Sequence, residues 1–385
     1  MTEVWSTRIA DRYGCRLSSE LEDWFDSGIW QSQGQGEFRQ PIDPAALLEQ
    51  APEEIWPGMM GCDCLPVLSN TAGDWLCVRI DRHSVAAEVI HWYHGGGDWI
   101  PWGKQLAEAI AFDAIADRFP SQHRRHAVPA ESPRLTCDSA GKVIDPITRW
   151  AFNHLPADIV QAIESPMQSE ATAEAFLQHE VAAVATRCEL SISALLKSEP
   201  GGRGAAWAAA AMHASPVTDL SPELAWAWDT IGHDAERRGD LKSAREYYLK
   251  AVECSAFTDQ SIRLMTHAVG DQAAKFAVAR LLELDPSLVR STPYLQMLCD
   301  QDERTRRQSV YQHWSAKGQL HLDNDDPSSA YDSFVAAGWD IGATPIETYA
   351  SILDQVPQAA AASNQTARAE VAKTHRRCLT ARFGV

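Results

Sequence analysis

Few residues in this chain have the types and spacing to do chemistry. His94-Gly95-Gly96-Gly97 imitates the oxyanion hole of lipases and esterases, where backbone N–H groups steady a developing negative charge. That motif acts only beside a G-x-S-x-G nucleophile elbow, and the sequence contains none. A hydrolase using His94 and Gly95–Gly97 is therefore the minor reading, and a glycine turn between strands the expected one. Cys62 and Cys64 with His91 and His94 make four potential zinc ligands. Their C-x-C and H-x-x-H spacings are not those of a standard finger, and alternation along a strand sends His91 and His94 to opposite faces. No metal site and no cofactor are expected. Gly34-Gln-Gly36 and Gly201-Gly-Arg-Gly204 lack the rest of a phosphate or dinucleotide loop.

A second set of residues suits binding better than catalysis. Gly73 precedes Asp74, Trp75 follows it, and Asp81 lies seven positions on. Gly73 supplies a backbone angle costly for other residues, and Asp74 and Asp81 can each accept backbone N–H groups of a turn. Alternatively, both carboxylates face a cleft that receives a cationic partner. Trp99 and Trp102 are either core fillers or partly exposed anchors.

These residues need elements to hold them. Leu17, Leu21, Trp24 and Phe25 fall on one face of a helix. Cys64–Ser69, Asp74–Asp81 and Ala87–His94 read as strands, the second covered on both faces. Ala107–Ala116 reads as a helix. This order predicts an α+β unit over 1–120, with a small mixed or antiparallel sheet and flanking helices. Prolines at 120, 129, 133 and 146 mark 121–147 as a linker or surface loop, 148–220 reads as a helical connecting region, and 221–385 as an all-α array.

Composition limits the function classes. The 385 residues carry a formal charge of −18. Residues 1–120 alone hold 19 acidic and 8 basic side chains, a net −11, and eight of the fourteen tryptophans. A chain this acidic is a poor holder of phosphate backbones and suits a basic protein partner better. Nine cysteines, an odd number with no C-x-x-C pair, do not form a disulfide scaffold. The opening residues show no signal peptide, and the richest apolar run, Ala205–Met212, is far too short to span a bilayer. The expectation is a cytoplasmic protein that binds neither nucleic acid nor membrane, its oligomeric state open.

Two ordered patterns resemble known families. Trp228, Gly232, Gly239, Ala244 and Tyr248 have the large–small–small–large order of the tetratricopeptide repeat, in which a glycine lets paired helices approach closely. The spacing recurs 86 residues later at Trp314, Gly318, Ala330 and Phe334. Ala235 replaces the usual tyrosine and Ala256 the usual proline, and the region between, around Gly270 to Pro286, reads as an irregular unit. Over residues 8–118, Tyr13-Gly14-x-x-Leu17, Cys64-Leu-Pro-Val67, Gly73–Val78, Asp81 and Trp99–Glu108 together resemble the SUKH superfamily. That superfamily holds cell-wall-synthesis regulators of the Smi–Knr type and bacterial immunity proteins. The resemblance implies a non-catalytic α+β domain that captures a protein ligand, as an immunity protein or an adaptor; Asp74, Trp75, Asp81, Trp99 and Trp102 are the candidate docking residues. The alternative is a scaffold that self-associates through its repeats.

Overall fold

The computed structural model describes residues 4–34, 36–94, 99–115, 145–157, 160–161, 203–220, 222, 225–254, 277–299, 302–338 and 345–385. The linker over 121–144, most of the connecting region and the glycines 95–97 and 201–202 lie outside the described residues. An α+β N-terminal region is followed by a helical one, as the sequence predicts.

The N-terminal region opens with α1 (Trp5–Tyr13) and α2 (Ser19–Asp26). The Ser18 hydroxyl accepts the Leu21 N–H and starts α2, so this helix begins just after Leu17. A short β1 (Gln40–Pro41) and α3 (Pro44–Leu47) lead to β2 (Cys64–Ser69), β3 (Trp75–Ile80), β4 (Ala86–Trp92) and β5 (Trp99–Gly103). The five strands form an antiparallel meander in the order β1-β2-β3-β4-β5. The Asp74–Asp81 run thus supplies the central strand, its Leu76, Cys77, Val78 and Ile80 buried. Residues of α4 (Leu106–Ile115) are buried on nearly every side, which explains its lack of a clear apolar stripe. At its start, the Glu20 carboxylate accepts the Ala107 N–H at 2.6 Å.

The chain divides into two compact units, and the division departs from the sequence reading. The first holds residues 1–183 together with 360–385, the second 184–359. Helix α5 (Pro146–Asn153), which straddles the expected linker end at 147 and the connecting region from 148, belongs to the first unit: Trp150 packs edge-on against Trp24 at 4.9 Å and donates to Asp23. So does the last helix, α15 (Thr366–Phe383), read as part of the repeats. Arg368 donates to the Ile80 carbonyl at 2.8 Å and pairs with buried Asp63, which also holds Arg79 at 3.0 Å. Arg377 donates to the Gln50 carbonyl, Arg382 to that of Glu53, and the Cys378 thiol to that of Pro52. Val371, His375, Cys378 and Leu379, at helical spacing, form the buried face of α15. A narrow apolar stripe edged by arginines is matched by a surface rich in carbonyl and carboxylate oxygens.

In the second unit, α6 (Arg203–Leu220) packs on α7 (Ala225–Arg237), which pairs with α8 (Leu241–Glu253). Three short helices follow, α9 (Ala277–Leu284), α10 (Pro286–Ser291) and α11 (Pro293–Leu298), then the pair α12 (Glu303–Asp323) and α13 (Pro327–Gly338), and α14 (Ile346–Ala362). The two pairs repeat one geometry. A Cβ on Gly232 would stand 2.7 Å from the Tyr248 ring, and one on Gly318 2.5 Å from the Phe334 ring. Ala244 and Ala330 are fully buried at equivalent points. Both turns take a left-handed residue, Gly239 with φ +80° and Asp325 with φ +59°. Asp240 and Asp326 then cap the second helices. Trp228 is half-buried and stacks on Tyr247 of its own helix pair under Lys250. Its counterpart Trp314 is buried and donates to the Tyr294 hydroxyl at 3.1 Å, which itself reaches the Val252 carbonyl.

Candidate functional site

The residues with chemical potential gather at the end of the sheet where β3 begins. Asn70 organises the β2–β3 turn: its Oδ1 accepts the N–H groups of Ala72 and Asp74, both at 2.9 Å. Gly73 takes φ +93° there, the strained angle read from the sequence, and a side chain on it would also press on His94. The turn is therefore capped by Asn70, not by Asp74 as expected. The Asp74 carboxylate instead reaches across the sheet. Its Oδ1 accepts the His94 N–H at 2.9 Å, and its Oδ2 accepts the Asn70 side-chain amide at 3.2 Å. Burial pushes this carboxyl up, but the His91 ring, the His94 N–H and the Asn70 amide outweigh it and hold it well below the ordinary carboxylate range.

His91 lies opposite Leu76 in the β3–β4 register and is fully buried. It stacks on Tyr93 at 4.0 Å and meets the edges of Phe38 at 4.6 Å and Trp102 at 5.0 Å. Its Nε2 stands 3.6 Å from Asp74 Oδ2. Glu37, exposed and in the segment before β1, completes the group by accepting the second contact of the Asn70 amide at 3.0 Å. One donor atom each from Glu37, Asp74 and His91 lies within 4.8 Å of the other two.

The five residues proposed for partner binding do not share a face. Asp74 and Trp75 open β3, and Asp81 follows its far end, about 23 Å away at strand rise. The Asp81 carboxylate is committed to its turn, accepting the His83 and Val85 N–H groups at 2.8 Å. Trp99 and Trp102 are buried, the first under the Arg79 guanidinium and the second against Phe38, His91 and Phe112. Both are core residues on opposite faces of the sheet: Trp99 shares the face of Trp92 and Arg79, and the bulge in the β4–β5 pairing brings Trp102 to the face of His91. Trp75, half-buried, keeps part of its ring in solvent. The four side chains weighed for zinc do not converge: Cys64 is buried with its thiol 3.4 Å from Asp63, and neither cysteine joins His91 within ligating distance among the described residues.

Glu37 and Asn70 were not singled out from the sequence. The Asn70-Thr-Ala-Gly-Asp74 run carries a turn signal that could have flagged Asn70. Nothing local marks Glu37, because only the pairing of β1 with β2 brings it to Asn70. Elsewhere, no helix among the described residues is long and apolar enough to cross a membrane. Compared with known proteins, the chain matches no family model and no curated protein.

Proposed function

We propose that this is a non-catalytic protein-binding protein, in which a SUKH-like α+β unit captures a protein ligand and tetratricopeptide-like helix pairs serve as scaffold. One observation carries the reading: the close glycine–aromatic contact, the left-handed turn residue and the aspartate cap all recur 86 residues apart in two helix pairs. Pairs of this kind stack into extended surfaces that suit protein ligands. The charge of the first unit supports a basic partner. Residues 360–385 carry five basic and one acidic side chain, and still leave the two segments 1–120 and 360–385 at −7 together. Half-buried Trp75 is the favoured anchor within that unit, and an immunity or adaptor role fits such capture.

The test is affinity capture from the native host, followed by titration of each purified candidate by calorimetry. The expected result is a saturable complex whose association slows steeply with salt, since exposed charges are screened over about 10 Å at 0.1 M. Trp75→Ala should weaken it while circular dichroism stays unchanged. A complex indifferent to both, but lost on Lys250→Glu, would move the binding face to the helix pairs. No saturable complex with any captured protein would sink the reading.

A further inference from the structure

We propose that Glu37, Asp74 and His91 form a binding site for one borderline first-row divalent cation, zinc foremost. The proposal is independent of the protein-binding reading. It rests first on convergence. Three segments distant in sequence, the approach to β1, the β2–β3 turn and the end of β4, each deliver one donor atom, and all three lie within 4.8 Å of one another. It rests next on spacing. His91 Nε2 and Asp74 Oδ2 are 3.6 Å apart. Two ligands of a tetrahedral zinc, each about 2.1 Å from the ion, stand about 3.4 Å apart, so the observed gap suits a shared ion with small movement.

The buried imidazole is a separate pointer to a ligand. His91 is fully buried in an aromatic box of Phe38, Tyr93 and Trp102, and this packing fixes its ring with Nε2 directed at the carboxylates. Metal sites use neutral imidazole in this way, with the ring's orientation set by its surroundings. The carboxylates are oriented too. The Asn70 amide donates to both Glu37 and Asp74, and its own oxygen is tied to two backbone N–H groups, so it cannot turn away. Ligating carboxylates are commonly held by such outer hydrogen bonds, and each keeps further lone pairs for an ion. One nitrogen and two oxygen donors favour zinc, manganese, iron or cobalt over magnesium or calcium, which prefer all-oxygen shells. Glu37 is exposed, so a fourth position opens to solvent and would carry water. An ion here would tie three segments together and stabilise the first unit by mass action.

The test uses the full chain, stripped with chelator and dialysed. Titration with Zn2+ should show a saturable equivalent that raises the melting temperature. Co2+ should give a ligand-field spectrum without a thiolate charge-transfer band, which separates this site from the buried cysteines. Glu37→Gln alters an exposed side chain and leaves folding intact by circular dichroism. It should weaken Zn2+ binding roughly tenfold or more. Asp74→Asn, nearly the same shape, should do the same. The site is overturned by the absence of saturable binding, by a thiolate band, or by unchanged affinity in a folded Glu37→Gln chain.

Discussion

His375 sits fully buried in the body of α15. Burial pushes its imidazole down to about 4 from an ordinary 6.5, against the opposite pull of the Cys64 backbone and the Asp63 carboxylate, while Arg382 adds to the fall. The unfolded chain therefore holds a proton here that the folded chain refuses. Stability contributed by the neutral ring is complete above about 6.5 and is lost as pH falls toward 4, to the extent of roughly 3 kcal/mol. Glu20 has the opposite slope. Burial pushes its carboxyl up to about 7 from 4.5, although the Ala107 N–H pulls it down. Folding then favours the protonated acid, and stability declines as pH rises from 4.5 through 7. Urea midpoints measured across pH should show His375→Gln flattening the acid limb and Glu20→Gln the neutral one. In the second unit, Asp229 is buried with Oδ1 lacking a hydrogen-bond partner among the described residues, and burial alone pushes it up to about 8. Asp229→Asn should stabilise the protein, by an amount that grows as pH rises to 8, and by roughly 1–3 kcal/mol there.

At the scale of elements, the helix pairs depend on two glycines. Any side chain at Gly232 or Gly318 meets the Tyr248 or Phe334 ring at under 3 Å, so the helices must separate or the ring must leave its rotamer. Gly232→Ala and Gly318→Ala should each cost roughly 1–3 kcal/mol, read from thermal or urea unfolding. A neutral result would mean that the pairs are looser than described. The turns predict the reverse change. Asp325 holds the left-handed angle that Gly239 holds in the first pair, and a non-glycine residue pays roughly 1–2 kcal/mol for it. Asp325→Gly should recover part of that and raise the melting temperature. These contacts were legible beforehand, because the large and small residues fall at fixed offsets within about twenty positions.

For the whole molecule, the decisive feature is that residues from both ends of the sequence build one compact unit. An expression fragment of residues 1–120 lacks the Trp150 contact to Trp24 and the entire α15 seam, and with it the Arg368 partner of buried Asp63. Arg79 and Arg368 hold that carboxyl ionised against a burial that opposes it. Leaving a buried charge with less compensation is costly. Deleting residues 360–385 should therefore lower the stability of the first unit by several kcal/mol, seen as an early transition in tryptophan fluorescence. A fragment of residues 1–120 that unfolds as cooperatively as the full chain would show that α15 is dispensable.

What the sequence determined by itself is what short-range periodicity encodes. Runs of apolar, β-branched and aromatic residues mark β2, β3 and β4, the spacing of Leu21, Trp24 and Phe25 marks α2, and the glycine–aromatic offsets mark both helix pairs, since each signal needs only neighbours within a turn or a hairpin. What only the tertiary structure decided depends on contacts between distant segments. The partition of Trp99 and Trp102 to the core required knowing that Arg79 covers the first and that Phe38 and Phe112 cover the second, on opposite faces of the meander. The docking of α15 rests on arginine bonds to carbonyls some 290 to 330 positions away, and backbone carbonyls leave no mark in a sequence. Glu37 reaches Asp74 only through strand pairing, so residues that look unrelated along the chain share one point in space.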